Sequence, residues 1–319
     1  MQKILVTRAV FDPVLQRLGR YFEVEANQAD IIWSADQLAA RLADKDGVLA
    51  SAVDPLSASV IERAPRLRAL CNIAVGYNNV DLSACKRAGI TVTNTPGVLD
   101  DTTADLAWAL IMASARHVVA ADQWTRAGHW RAWKFDQWLG TDVHHATLSI
   151  LGMGRIGQAI ARRAAGFSMR VLYHNRRRCE ESVERQCNAT WVEQETLLRE
   201  ADFLLPMLPY SAEVRHVIGA AELALLKPTA HLINVARGGI VDDSALIDAL
   251  QARRIAGAGI DVFENEPALD PRFLSLDNVV LTPHIGSASA ATRMNMAMLA
   301  VDNLIAVLGG TEPPNRVPL

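Results

Sequence analysis

Leu148-Ser-Ile-Leu-Gly152-Met-Gly154-Arg-Ile-Gly157 is the stretch that decides the fold of this 319-residue chain. Four mostly apolar residues, suited to a buried parallel strand, run into glycines spaced G-x-G-x-x-G, and a helical pattern is predicted from Gln158 to Ala165. Strand, glycine turn and helix in this order make a dinucleotide-binding fingerprint rather than a turn whose glycines serve packing alone. Gly152 permits the tight turn, Gly154 lets the backbone approach a pyrophosphate, and Gly157 lets the helix pack close to its strand. The helix N-terminus then offers unpaired N–H groups and a positive dipole end to the anion.

On the N-terminal side the pattern strand, helix, strand repeats. It runs through Ile4 to Thr7, Pro13 to Arg20 with Asp12 as N-cap, Glu23 to Glu25, Asp36 to Ala43, Gly47 to Ala50, Leu56 to Arg63 and Leu67 to Ile73. This alternation predicts a parallel α/β sheet of its own, so the first domain is not the one that binds the dinucleotide. Ile73-Ala-Val-Gly76-Tyr-Asn-Asn79 follows the last of these strands, where such sheets carry ligands. Gly76 would let backbone N–H groups face a small anion such as a carboxylate; a plain turn before a helix at Asp81 is the competing reading. A strand at Ile90 to Thr93 leads into Asn94-Thr-Pro-Gly97, a breaker cluster that marks a domain crossing.

Asp101 to Arg116 reads as a long helix, apolar nearly all round and therefore buried on several sides. The next segment holds Trp124, Trp130, Trp133 and Trp138, four of the seven tryptophans, among Arg126, Arg131 and Lys134. That composition suits a protein interface, the alternative being an arm folded on its own subunit. Beyond the fingerprint, Met169 to Tyr173 is the predicted second strand of the cofactor domain, and it ends in His174-Asn175-Arg176-Arg177-Arg178. A site for NAD carries an acidic residue about 20 positions past the glycines for the ribose 2′-OH, whereas an arginine accommodates a 2′-phosphate. Asn175 stands there with Arg176 next to it, which points to NADPH through guanidinium pairing with phosphate. NADH is the alternative if the basic run is only a solvated face.

Ala201 to Pro209 is read as a further strand and loop, in which Pro206 is awkward because proline removes a ladder donor. Three later strands each run toward a chemically capable side chain: His231 to Val235 toward Arg237, Ile255 to Val262 toward Asp261 and Glu266, and Val279 to Leu281 toward His284. A helix from Ala288 to Leu308 closes the chain and is expected to pack on the first domain. Reduction of a ketone by hydride leaves an alkoxide that must gain a proton, a task suited to histidine, with a carboxylate to favour its charged form. Arginine can pair with a substrate carboxylate and polarise the carbonyl.

Composition sets the remaining bounds. A net charge of −3 gives no electrostatic case for nucleic acid or an anionic membrane. No window has the roughly eighteen apolar residues of a membrane span, and the start, Met1 to Arg8, lacks the apolar run of a signal peptide. Cys71, Cys85, Cys179 and Cys187 are scattered, which reads as reduced thiols in a cytoplasmic protein. Adjacent His144 and His145 point to opposite faces of an extended chain with no further ligand at suitable spacing, so no metal site is expected.

Gly152 to Gly157, Asn234-Val-Ala-Arg237-Gly-Gly, Asp261-Val-Phe-Glu-Asn-Glu266-Pro and Thr282-Pro-His284-Ile-Gly-Ser together resemble the D-isomer-specific 2-hydroxyacid dehydrogenase family over essentially the whole chain. Gly140-Thr-Asp-Val-His-His145, Val75-Gly-Tyr and Asn94-Thr-Pro-Gly-Val are similar to its bacterial glyoxylate/hydroxypyruvate reductase and 2-ketogluconate reductase branch, where NADPH is the usual reductant. The resemblance implies an α/β fold of two Rossmann-like or flavodoxin-like parallel-sheet domains. The NAD(P)-binding domain, residues 99–286, would be inserted into a substrate domain of residues 1–98 and 287–319.

The resemblance further implies that a small 2-ketoacid (glyoxylate, hydroxypyruvate or 2-ketogluconate) is reduced to the D-2-hydroxyacid. His284 would be the acid/base, Glu266 its partner and Arg237 the substrate anchor, with Val75 and Gly76 giving backbone contacts to the carboxylate. Cofactor contacts are expected from Gly152, Gly154, Arg155, Ile156, Gly157, Asn175, Arg176, Arg177, Leu208, Pro209, Val235, Ala236 and Gly286. Asp261 would hold the nicotinamide carboxamide and Thr103 would lie near the ring. The long helix and tryptophan arm would build a homodimer in which Trp138 reaches the partner's substrate pocket. Asn78, Asp100-Asp101 and Pro206 depart from the usual pattern, which bears on substrate choice more than on reaction type. A nucleotide-sensing, corepressor-like binding protein without turnover is the alternative of another class.

Overall fold

Short segments of three to five residues, most of them rich in aliphatic side chains, form the twelve strands of the computed structural model, which describes every residue from Met1 to Leu319. They fall into two compact units, one of Met1–Leu99 with Ala288–Leu319 and the other of Asp100–Ser287. All strand pairings are parallel, so both sheets need cover on both faces.

In the first unit β1 (Lys3–Val6), β2 (Glu23–Ala26), β3 (Gly47–Ala50), β4 (Ala69–Asn72) and β5 (Thr91–Thr93) are ordered β2-β1-β3-β4-β5, the flavodoxin-like order. One face packs on the C-terminal helix Ala290–Leu308, whose Ala297, Ala300, Val301, Leu304 and Leu308 meet Ile4, Val6, Leu49, Ala69 and Cys71. The other is covered by the helices of Leu38, Val60 and Ala84. The first helix is Asp12–Leu18, so Phe11 holds the N-cap position and Asp12, expected as the cap, is the first helical residue. Its carboxylate lies instead in the first turn, where the dipole favours negative charge. The second helix starts at Ala35 behind a Ser34/Gln37 capping box, one residue earlier than the spacing predicts.

In the second unit β6 (Thr147–Leu151), β7 (Arg170–His174), β8 (Ala189–Trp191), β9 (Phe203–Pro206), β10 (His231–Asn234), β11 (Gly257–Ile260) and β12 (Val279–Leu281) are ordered β12-β11-β10-β9-β6-β7-β8. Read from β8 inward, this is the order of a Rossmann sheet with a seventh strand, and its switch point lies between β6 and β9. Period-two alternation assigns side chains to the two faces. Leu148, Ile150, Tyr173, Phe203 and Ile233 pack with the helices Asp100–Ala115 and Arg155–Ala164, while Leu151, Leu172, Leu204 and Leu232 pack with the helices of Leu197 and Leu246. Gly259 is small because the long helix sits on β11: a Cβ there would lie 2.9 Å from Leu110 Cβ.

A further expectation changes. The fingerprint helix begins at Arg155, not Gln158, so Gly157 is its third residue, and a Cβ at 157 would stand 2.6 Å from the Gly152 carbonyl oxygen. Pro206 costs its strand one of its two ladders only. Met207 N–H donates to Leu151 O on β6, so by alternation position 206 faces β10, whose pairing with β9 stops at Leu204. The donor missing at Pro206 is the next one the β10 ladder would use, so that pairing ends two residues before it while the β6 side runs on. No single helix is long and apolar enough to cross a membrane.

Candidate active site

The loop after β6 carries the first part of the site. Gly152 sits at φ +110°, and a Cβ there would be 2.7 Å from Met207 O, so the turn brings the ends of β6 and β9 into backbone contact. Gly154 is the N-cap of the ten-residue helix, no side chain caps it, and a Cβ at Gly154 would meet nothing within 4 Å. The first-turn N–H groups, including those of Arg155 and Ile156, are therefore left to an outside anion. This cradle fits the pyrophosphate of a dinucleotide.

Asn175, at the end of β7, turns back to brace the loop: its Oδ1 accepts from Met153 N–H at 2.7 Å, and Trp191 Nε1–H donates to its carbonyl at 3.1 Å. The three arginines that follow are not equivalent. Arg178 grips Glu184 with two hydrogen bonds of 2.7 and 2.8 Å, Tyr173 O–H donates to the same carboxylate at 2.6 Å, and together they hold Glu184 down at about 2. Arg176 and Arg177 are exposed and outside that network. Leu208 and Pro209 follow β9 on the other side of the switch point.

The second part comes from the loops after β10, β11 and β12. His284 lies three residues past β12 at φ +54°, and its Nδ1 donates to Glu266 Oε2 at 2.6 Å. Glu266 Oε1 accepts from Phe263 N–H at 2.8 Å. Burial opposes ionisation of Glu266, but the hydrogen bond and charge of His284, the Phe263 N–H and the charge of Arg237 outweigh it, and its carboxyl falls below the usual range. Arg237 follows β10, with Nη1 donating to Ala236 O at 2.7 Å; burial lowers its pKa, and the charge of Glu266 works against that. The structure thus brings Arg237, Glu266 and His284 together at one sheet edge.

Asp261 is fully buried, and its carboxylate ties the histidine loop to β11. Oδ1 accepts from Thr282 Oγ1 at 2.6 Å and Ile285 N–H at 2.8 Å, and Oδ2 accepts from Gly286 N–H at 2.9 Å. Burial raises its pKa against these donors. Thr103 is the next neighbour, since a Cβ on Gly286 would lie 3.5 Å from its methyl group. Gly238 is pressed on the loop of Glu266, with a Cβ position only 1.7 Å from Phe263 O and 2.8 Å from Glu264 N.

Sequence reading missed the outer brace of that loop. Glu264 N–H donates to buried Asp243 at 3.0 Å, while the Glu264 carboxylate accepts from Arg215 at 2.7 Å and His216 at 3.0 Å. Nothing in the local spacing joins positions 215, 243 and 264; only the sheet order does. Of the other expected residues, Val235 and Ala236 are buried at the end of β10, and Val75 and Gly76 follow β4 in the other unit. Trp138 is 39% exposed and meets Trp124 edge-on at 5.8 Å, whereas Trp133 is 76% exposed.

A Rossmann sheet with a phosphate cradle at its switch point and a histidine–carboxylate pair beside an arginine at the same edge defines an NAD(P)-dependent oxidoreductase. Residues 108–286 match the family model of the D-isomer specific 2-hydroxyacid dehydrogenase NAD binding domain. The chain is 47% identical to the glyoxylate reductase of Pyrococcus horikoshii, over 99% of this chain and 95% of that protein. Among solved structures it is similar to an NADPH-dependent glyoxylate/hydroxypyruvate reductase from Sinorhizobium meliloti in complex with NADP and malonate. That match has a TM-score of 0.89 and 36% identity, over 99% of this chain and 96% of that one. It is likewise similar to a glyoxylate reductase from Paecilomyes thermophila, with TM-score 0.89 and 30% identity over 99% and 98%. The chain belongs to the D-isomer-specific 2-hydroxyacid dehydrogenase family.

Proposed function

We propose that the protein reduces a small 2-ketoacid, with glyoxylate, hydroxypyruvate and 2-ketogluconate as candidates, to the D-2-hydroxyacid, and that it prefers NADPH. The observation that carries this reading is the 2.6 Å contact between His284 Nδ1 and Glu266, with half-buried Arg237 on the neighbouring loop. Glu266 fixes the imidazole with its Nδ1–H engaged, so Nε2 is the atom free to exchange a proton with substrate. Arg237 pairs with the substrate carboxylate and polarises the carbonyl; Nε2–H of His284 then passes its proton to the oxygen that becomes the hydroxyl. The bound nicotinamide supplies the hydride. Gly152, Gly154, Arg155, Ile156 and Gly157 hold its pyrophosphate, Asp261 and Thr103 face the nicotinamide end, and Arg176 with Arg177 takes the 2′-phosphate. Arg178 does not, because Glu184 holds it.

The exposed aromatic arm supports a homodimer in which Trp138 serves the partner's pocket, and the four free cysteines support a cytoplasmic enzyme. Initial rates with NADPH and NADH over a 2-ketoacid panel of increasing length test the proposal. Oxidation of NADPH by at least one short 2-ketoacid is expected; a protein that binds NADPH and reduces none of the panel is a nucleotide-sensing binder instead.

A further inference from the structure

The loop after β4 is held by its carbonyl groups, and by an unusual set of donors. Asn72, fully buried at the end of β4, donates from Nδ2 to Gly76 O at 2.8 Å and to Asn79 Oδ1 at 3.2 Å, so both amide hydrogens are used. Asn94, just past β5, donates to Val75 O at 2.8 Å, and Thr95 N–H donates to Ala74 O at 2.9 Å. Three successive carbonyls, Ala74 to Gly76, are therefore fixed from the protein side. Asn79 anchors the far end of the loop by donating to Ser51 O at 3.0 Å and Asp54 O at 3.2 Å.

The peptide units here are trans, and in a trans peptide the N–H points opposite to the C=O. Holding the carbonyls of Val75 and Gly76 on asparagine amides turns the N–H groups of Gly76 and Tyr77 the other way, and neither donates to a protein acceptor. Adjacent free N–H groups on a fixed loop form an anion-binding nest. We propose that Asn72 and Asn94 are positioning residues, which set these two N–H groups, Tyr77 included, for a substrate carboxylate. The proposal rests on the reading that the Val75-Gly76 loop is the carboxylate site. It adds the side chains that orient that site and a donor, Tyr77 N–H, that the sequence does not single out.

The test compares glyoxylate with its neutral methyl ester, so that loss of anion recognition separates from general damage. In Asn94→Ala the KM for glyoxylate should rise about tenfold, as expected for a misaligned hydrogen bond to a charged group, with kcat changed little and kcat/KM for the ester unchanged. Asn94→Leu, close in size, uncharged and without the donor, should do the same and replaces Asn94→Ala if that variant does not fold. Asn72→Ser should repeat the selective loss. Variants that keep the wild-type ratio of acid to ester overturn the proposal, and so does an equal fall for both substrates. Gly76→Pro removes one N–H outright. If it leaves the ratio intact, the carboxylate reading itself fails; if it lowers the ratio while the asparagine variants do not, only the positioning role fails.

Discussion

Gly238→Ala is the most demanding perturbation of the site because it adds a single methyl group. The new Cβ would stand 1.7 Å from Phe263 O and 2.2 Å from Phe263 C, where ordinary contact begins at 3.4 Å. Both are backbone atoms, so no rotamer change relieves the clash, and the loops after β10 and β11 must part by well over ~1 Å. Phe263 N–H holds Glu266 Oε1 at 2.8 Å and Glu266 Oε2 holds His284 at 2.6 Å, so the shift reaches the imidazole through two short bonds. A misplacement of about 1 Å in a catalytic array costs on the order of 100-fold in rate. Overpacking of this kind costs about 1–3 kcal/mol of stability. Steady-state kcat for glyoxylate reduction should fall by about that factor, while NADPH affinity, set by the loop after β6, stays within about twofold. A folded Gly238→Ala protein with wild-type kcat would refute the reasoning.

Arg176→Ala should raise KM for NADPH about tenfold or more and leave KM for NADH unchanged, since only the former carries the 2′-phosphate. An equal effect on both cofactors would contradict the assignment. Asp243 supplies a pH test. Burial pushes its carboxyl up to about 6, against an ordinary value near ~3.9. Between these values the unfolded chain is ionised while the folded one is still protonated, so this group's contribution to stability falls as pH rises from about 4 to about 6 and stays low above that. Asp243→Asn keeps an acceptor for Glu264 N–H and should be more stable than wild type at pH 7 by up to about 3 kcal/mol, with the gap closing near pH 4. Denaturant unfolding at both pH values checks this, and a gap independent of pH would contradict it.

The parts of the site legible in the sequence were those whose chemistry is local. Gly152 to Gly157 declares a turn and a helix in consecutive residues, and Arg237, Glu266 and His284 each stand a few residues past a strand. What stayed hidden depends on which strands are neighbours. Pro206 does end the pairing of β9 with β10 at Leu204, but only the sheet order shows that the β6 side continues past it to Met207. Arg178 stands in the same basic run as Arg176 and Arg177, and nothing local in the sequence shows that a helix brings Glu184 beneath it. Asp243 and Arg215 lie far from Glu264 in sequence and join it only through the order of the sheet. Gly238 is a point of close backbone contact with Phe263, which its place beside a second glycine does not reveal.

The central claim is that His284 delivers the proton in a hydride-driven reduction of a 2-ketoacid. His284→Asn tests it most directly, because asparagine accepts the φ of +54° at this position and cannot act as a general acid. Turnover of NADPH with glyoxylate should fall by at least about 100-fold, the range expected for loss of general acid catalysis, while NADPH titrated by fluorescence binds as it does to wild type. Turnover within a few-fold of wild type, with cofactor bound, would contradict the account.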